Sequence, residues 1–187
     1  MTGAAELVPG FRPENELERQ LSADPALLEG LAWGKPRAGH PEGTVGEHVA
    51  ELLRTLDSWG EPEPRRSELR FMALVHDSLK YKVQNWRPRS GDNHHAARAR
   101  RFAEGYTGDE RLLAAIQLHD RPFQIWKRYR RTGKDQSQPL DEMLEQIPDP
   151  ELFLRFVELD VSTGGKDPEP VRWFRAELAR RGLTVKG

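Results

Sequence analysis

Apolar residues recur at intervals of three and four along most of the chain, and no segment alternates apolar and polar residues with a period of two. This pattern predicts amphipathic helices and no strand, so the expected fold class is all-α, a helical bundle. Asp24-Pro25 predicts a helix start, with an N-cap aspartate before a proline, and this helix is expected to end at Gly34 and Pro36. Thr44 to Glu47 forms a T-x-x-E capping box and predicts the start of a second helix.

Further helices are expected in the central and C-terminal parts of the chain. One begins near Arg65 and contains His76, Asp77 and Lys80, and a loop follows from residue 84 to residue 91. Later helices are expected near Asn93, at a second capping box from Thr107 to Glu110, before Ile147, at Asp149-Pro150, and from Asp167-Pro168 to Gly182. Arg121-Pro122 is expected to end or bend the helix that reaches His119, and the basic stretch up to Lys134 to be partly loop.

The composition limits the class of protein. A chain of 187 residues suits one domain, taken here as residues 1–187, and can bury a core without disulfides. It has no cysteine, so a metal must be held by nitrogen and oxygen, and a reducing cytoplasmic location is expected. The N-terminus lacks the basic and apolar regions of an export signal, and no apolar run is long enough for a membrane span.

Positive charge is concentrated in one segment. Asn85 to Lys134 carries 12 Lys and Arg against 5 Asp and Glu, while the whole chain has a formal net charge of −1. This asymmetry favours an anionic ligand on the basic side, although an arginine-rich solvated surface balanced by acidic neighbours also accounts for it.

The histidines are the candidate chemical groups. There are six, all between residues 40 and 119: His40, His48, His76, His94, His95 and His119. A single histidine on an apolar face is usually a core residue, but their joint placement favours a shared site. The adjacent residues His76 and Asp77 can converge on one ion, which needs further ligands from other helices. His48 and Asp160, each on a separate predicted helix, can supply them.

The order His48, His76-Asp77 and Asp160 resembles the H…HD…D signature of the HD superfamily of metal-dependent phosphohydrolases. Locally, GHPEGTVGEHVAELLRTLD and LRFMALVHDSLKYK are similar to the HD domain of bacterial CCA-adding tRNA nucleotidyltransferases. The resemblance covers a core of about residues 39–165 and concerns only the hydrolytic module. The chain has Leu79 where these relatives often have glycine before the lysine.

The resemblance implies that His48, His76, Asp77 and Asp160 bind a first metal. In relatives with two metals, further histidines bind the second, here one of His94 and His95 together with His119. Helical spacing places His95 on the face of Ala99, Phe102 and Tyr106, so we expect His95 inside and His94 towards substrate or solvent. The expected cofactor is one or two divalent ions of Mn, Ni, Co, Fe or Mg.

A divalent metal promotes attack on an anionic phosphate ester because it neutralises the phosphoryl oxygens and lowers the pKa of a bound water. Asp77 is expected to ligate the metal and help to orient the attacking water. Lys80 is expected to balance phosphate charge, although a lysine extending along the surface fits the same position. His95 or His119 is expected to bind the second metal or to protonate the leaving oxygen.

A nucleotide is the expected ligand because basic and aromatic residues alternate in this region. The candidate substrate-binding residues are His94, Arg98, Arg101, Arg121, Trp126, Lys127, Arg128 and Arg130. Phe123, Trp126 and Tyr129 are spaced by three, which equally describes a buried helical stripe.

The resemblance to HD domains implies hydrolysis of a phosphomonoester or a 2′,3′-cyclic phosphate on a nucleotide or RNA end. One alternative is a hydrolase of nucleoside triphosphates or dinucleoside polyphosphates. The other is a noncatalytic, metal-stabilised helical module that binds RNA or a protein.

Overall fold

The structure, a computed structural model, describes residues 3–36 and 43–183. These residues form eleven α-helices: α1 (Ala4–Leu7), α2 (Glu16–Leu21), α3 (Pro25–Ala32), α4 (Val45–Trp59), α5 (Arg65–Val75), α6 (His95–Ala103), α7 (Glu110–Leu118), α8 (Arg121–Thr132), α9 (Ser137–Leu144), α10 (Pro150–Asp160) and α11 (Glu169–Arg180). Short 3₁₀ helices cover Lys80–Lys82 and Gly91–Asn93. The described residues contain no strand, only one antiparallel bridge between Gly34 and Thr44, so the all-α prediction is confirmed.

Helix α5 lies at the centre of the bundle. Every residue from Glu68 to Val75 is buried, because α5 packs against α4, α7 and α10 and also touches α6. Helices α1 and α3 lie beside α4, while α8 and α11 pack together on another side. The buried C-terminal end of α5 therefore lies where several helices can direct side chains towards it.

A buried ion pair fixes the N-terminal helices to α5. Arg70 donates two hydrogen bonds to the Glu18 carboxylate, at 2.7 Å and 2.9 Å, and a third to the carbonyl oxygen of Arg12 at 3.0 Å. Glu18 is 1% exposed and Arg70 is 3% exposed. Arg70 also lies 3.0 Å from a Glu14 carboxylate oxygen, so loss of Glu18 would leave Arg70 with one acidic partner, whereas loss of Arg70 would leave the buried Glu18 carboxylate without this cation.

Glycine allows α3 to approach the residues after α5 closely. A Cβ atom at Gly30 would lie 1.7 Å from the carbonyl oxygen of Ser78. Ser78 follows His76 and Asp77 directly, so this contact positions the segment that carries both residues.

Most predicted helix starts agree with the structure. Asp24 caps α3 by accepting hydrogen bonds from Ala26 and Leu27, and Thr44 and Glu47 form the expected capping box of α4. Asp149 caps α10, which ends at Asp160 as predicted. The last helix is shorter than predicted and covers Glu169–Arg180.

Two predictions about helix boundaries are wrong. Helix α5 ends at Val75 and does not contain Asp77 or Lys80, because Ser78 donates both its hydroxyl and its amide hydrogen to the carbonyl of Val75 and tightens the chain. The N-cap of α7 is Asp109 instead of Thr107, whose hydroxyl accepts a hydrogen bond from the Asp109 amide.

The basic stretch that was expected to be partly loop is helical as far as Thr132, in α8. Its proline is within the first turn, where no backbone donor is lost. No helix of the described residues has the length and apolar character that crossing a membrane requires.

Candidate metal centre

The four residues predicted to bind a first metal converge in the core. His48 lies in the first turn of α4, His76 and Asp77 follow α5, and Asp160 is the last residue of α10. Asp160 Oδ1 lies 3.1 Å from His48 Nε2 and 3.4 Å from His76 Nε2, and Asp77 Oδ2 lies 3.4 Å from His76 Nε2. Residues up to 112 positions apart thus direct nitrogen and oxygen atoms towards one small space.

A second group adjoins the first around the other Asp77 oxygen, and His119 belongs to both, since ligand atoms of His76, His119 and Asp160 also lie within 4.8 Å of one another. Asp77 Oδ1 is 3.5 Å from His95 Nε2 and 3.8 Å from His119 Nε2. Asp120 completes this group, since its carboxylate oxygens lie 3.1 Å from His95 Nε2 and 3.4 Å from His119 Nε2. Asp77 therefore has one oxygen towards each group and is placed as a bridge between them.

Backbone hydrogen bonds define which ring nitrogen faces the centre. His76 Nδ1 lies 3.2 Å and 3.1 Å from the carbonyl oxygens of Met72 and Ala73, and His119 Nδ1 lies 2.8 Å from that of Ile116. A carbonyl only accepts, so each Nδ1 carries the hydrogen. In the neutral rings Nε2 then presents a lone pair to the centre, as a metal ligand requires.

Burial and neighbouring charges shift the pKa values of these histidines in different directions. Burial lowers the pKa of His48 and of His119 below the ordinary value, which favours the neutral rings. Burial also opposes the charged form of His76, but the carboxylates of Asp77 and Asp160 outweigh it and raise its pKa to about 10. Without a cation, a proton on His76 therefore balances part of the carboxylate charge.

Two lysines supply the remaining positive charge. Lys80 Nζ donates to Asp77 Oδ2, and Lys166 Nζ donates to Asp160 Oδ1 at 2.9 Å and to the Asp160 carbonyl oxygen at 2.7 Å. The adjacent carboxylate raises the pKa of Lys80 despite its burial, so the ammonium stays charged. A bound cation can take over the carboxylates and leave both ammonium groups free to contact an anion.

The residues present fit a divalent metal. His76 Nε2, Asp77 Oδ1 and His95 Nε2 are buried and form no aligned hydrogen bond, although an oxygen or nitrogen of a neighbouring group lies within 3.5 Å of each; a shared cation would satisfy them. Ligand atoms of His48, His76 and Asp77, and likewise of Asp77, His95 and His119, lie within 4.8 Å of one another. A mixed set of imidazole and carboxylate is typical of sites for first-row divalent metals.

Two cavities open onto this metal centre. One, of about 370 Å³, is bordered by Asp77, His119 and Asp160. The other, of about 450 Å³, is bordered by His94 and His95. The metal centre is therefore accessible to a small molecule from two directions, although most of its ligand atoms are buried.

The structure adds two residues to those predicted from the sequence. Asp120 follows His119, so the two residues repeat the His76-Asp77 dipeptide, and this repeat is the one sequence signal that marks Asp120. Lys166 lies six residues after Asp160, with no pattern in the sequence that marks it. It was missed because its position depends on how the chain turns back after α10.

The remaining predicted residues have different positions. His94 borders the second cavity as expected, and its Nδ1 also accepts the Ala96 amide as the N-cap of α6. Arg98 and Arg101 line a separate cavity with Phe102, so the structure does not bring them to the metal centre. His40 lies outside the described residues, together with most of the HPEG segment.

Helix α8 presents the predicted basic residues to solvent. Its exposed cations are Arg121, Lys127, Arg128, Arg130 and Arg131, and among the described residues none of them has an acidic partner. Phe123 is 47% exposed and stacks on Trp126, with ring centroids 6.1 Å apart. The aromatic residues of α8 therefore do not form a fully buried stripe. Among them, Phe123 borders the first cavity.

Comparison with protein-family models, with curated proteins and with solved structures gives no match for this chain.

Proposed function

We propose that this protein is a metal-dependent phosphohydrolase of the HD type that acts on a nucleotide or on the end of an RNA. The observation that carries the proposal is the position of Asp77, which directs one carboxylate oxygen to His76 and the other to His95 and His119. A bridging carboxylate between two groups of imidazoles is suited to a pair of divalent ions.

Some residues of the chain would hold the metal ions, and others would balance the charge of the phosphoryl group. His48, His76, Asp77 and Asp160 would hold the first ion, and Asp77, His95, His119 and Asp120 would hold the second. The bound metal would supply charge neutralisation for the phosphoryl group and a water of lowered pKa. Lys80 and Lys166, at the edge of the metal centre, would contact the phosphoryl oxygens, because both ammonium groups already lie beside carboxylates that would bind the metal.

The surroundings of the metal centre support a nucleotide as substrate. The first cavity includes the exposed ring of Phe123, on which a flat base can stack. The exposed cations of α8, which have no acidic partner among the described residues, begin beside Phe123 and would contact further phosphates of a nucleotide or an RNA end.

The test combines metal analysis with activity. The purified protein is stripped of metal, reloaded with Mn²⁺, Co²⁺, Ni²⁺ or Mg²⁺, and assayed on a panel of phosphate esters. We expect metal-dependent turnover that Asp77→Asn reduces by a factor of about a thousand or more, since the bridging ligand is changed. Asp92→Asn is the matched control, because the Asp92 side chain is 82% exposed and pairs with Arg101 on the surface.

The contrary results are distinct. Full turnover in Asp77→Asn with unchanged helicity would remove the proposed site. Tight metal binding with no turnover of any ester would instead favour the noncatalytic, metal-stabilised module.

A further inference from the structure

The two cavities at the metal centre differ in chemistry and share a border. Lys80 and Asp120 line both of them. Asp160 faces the first cavity and His95 faces the second, so the metal centre lies between the two instead of at the bottom of one. A group held at the metal centre can therefore extend into both cavities at once.

The first cavity has a largely apolar lining on one part of its surface. Its apolar lining consists of Pro122, Phe123, Val157, Val161, Pro170 and Val171, from α8, α10, α11 and the loop after α10. A volume of about 370 Å³ accommodates a nucleoside, and the exposed face of Phe123 offers a stacking surface. We call this the apolar arm.

The second cavity is lined mainly by polar side chains that offer both donors and acceptors. The lining includes Trp33, Asn85, Arg89, His94 and Gln124. Arg89 donates to Asn85 Oδ1 at 3.0 Å, and it has no acidic partner among the described residues. Trp33 is 40% exposed and adds one aromatic face. We call this the polar arm, which suits a sugar with a second base or a chain of phosphates.

We infer that the substrate carries its reacting phosphorus between two substituents, one in each arm. Such a substrate is an acyclic phosphodiester or the inner phosphoryl group of a nucleoside triphosphate. A phosphomonoester or a 2′,3′-cyclic phosphate has one organic substituent and would leave one arm without a ligand. This inference rests on the proposed function and narrows its substrate class.

The reaction is a simple hydrolysis. The oxygen of water forms a bond to phosphorus, and the bond from phosphorus to the oxygen of one substituent breaks. One proton of the water goes to the leaving oxygen, and the other remains on the new phosphate and dissociates to solvent. The products are a phosphomonoester and either an alcohol or a pyrophosphate.

The first test compares substrates with one leaving group. The Mn²⁺-loaded protein is assayed on p-nitrophenyl phosphate and on the p-nitrophenyl ester of thymidine 5′-phosphate. We expect kcat/KM to be higher for the nucleoside diester by about tenfold or more, because only the diester fills both arms. Product analysis with a nucleoside triphosphate tests the second of the two substrate classes. Cleavage at the inner phosphoryl group releases pyrophosphate instead of phosphate.

A matched pair of arginines tests the polar arm. Arg89 lines this arm, whereas Arg87, two residues earlier, lies over the ring of Trp86 and donates to Gln84. Arg89→Ala is expected to raise KM for the diester by about fivefold to tenfold, the usual effect of losing one charged contact. Arg87→Ala is expected to leave KM unchanged.

Binding without turnover provides an independent measurement. The quenching of tryptophan fluorescence, to which Trp33 contributes from within the polar arm, is titrated with a dinucleoside phosphorothioate and with a nucleoside monophosphorothioate. We expect the dinucleoside compound to bind more tightly by about tenfold, and Arg89→Ala to remove most of this difference.

The possible failures are distinguishable. Absence of turnover of every phosphate ester by the metal-loaded protein would overturn the proposed function, and the binding comparison would still decide the two-armed site. Turnover in which the monoester equals the diester, with equal binding of the two phosphorothioates, would overturn only the inference about the substrate. Equal effects of Arg89→Ala and Arg87→Ala would contradict the assigned polar arm.

Discussion

Replacement of Gly30 by alanine tests the contact that positions the metal ligands after α5. The new Cβ atom would lie 1.7 Å from the carbonyl oxygen of Ser78 and 2.6 Å from its carbonyl carbon. Both atoms belong to the backbone, so no side-chain rotation relieves the clash. Helix α3 or the segment after α5 must move by about 2 Å to restore ordinary contacts of roughly 3.5 Å.

Two opposing effects determine the change in the free energy of unfolding. Alanine in a helix is favoured over glycine by about 0.8–1 kcal/mol. Overpacking of a dense interior costs about 1–3 kcal/mol, and a backbone clash of this size belongs at the upper end. The net expectation is a loss of about 2 kcal/mol, which for a chain of this length lowers Tm by about 4–8 °C.

The measurement is urea unfolding followed by helicity, with and without Mn²⁺, together with a titration of Mn²⁺ into the apoprotein. Gly30→Ala is expected to weaken Mn²⁺ binding as well as stability, because the clash displaces the segment that carries His76 and Asp77. Gly108→Ala is the control, since a Cβ atom at that position meets no atom within 4 Å. A Gly30→Ala protein at least as stable as the original would refute the reasoning, because the clash would then not outweigh the gain in helix propensity.

Three further outcomes are expected. Arg70→Met should lower the free energy of unfolding by about 3–5 kcal/mol in a denaturant titration, because the buried Glu18 carboxylate loses the Arg70 guanidinium, whereas the apolar pair Glu18→Leu with Arg70→Met should lose less. Glu14→Gln should weaken the pH dependence of stability. The hydrogen bond from Arg66 lowers the pKa of Glu14 in the folded state, so its stabilising effect is present at neutral pH and is lost in acid; equal slopes for both proteins would contradict this. Arg130→Ala should raise KM for a nucleotide with little change in kcat, and Arg172→Ala on α11 should change neither; a fall in kcat alone would argue against a binding role for Arg130.

The sequence predicted helix starts better than helix ends because the start signals are local. Asp24 and Thr44 accept hydrogen bonds from backbone amides two or three residues later, so a short pattern contains the whole interaction. The end of α5 depends on the hydroxyl of Ser78 and on its contact with Gly30, 48 positions earlier in the chain. No periodicity of apolar residues records such a contact.

The difference between local signals and contacts of distant residues also applies to the metal centre. The residue types and their order indicated His48, His76, Asp77 and Asp160 as a group, and the structure brings their ligand atoms together. The role of Asp120 depends on the break between α7 and α8, which turns its carboxylate back towards His95.

The number of metal ions that the residues would hold is a property that cannot be predicted without the tertiary structure. From the sequence, His95 and His119 can serve a second ion or act on the leaving group, and the residue types do not decide between these roles. The decisive feature is the orientation of the Asp77 carboxylate, because a bridge requires its two oxygens to face different imidazoles. That orientation follows from the early end of α5, after which Asp77 lies in a turn between the two groups of histidines. A correct list of ligands therefore leaves the number of ions open, whereas the orientation of the Asp77 side chain is what supports the proposal of two ions.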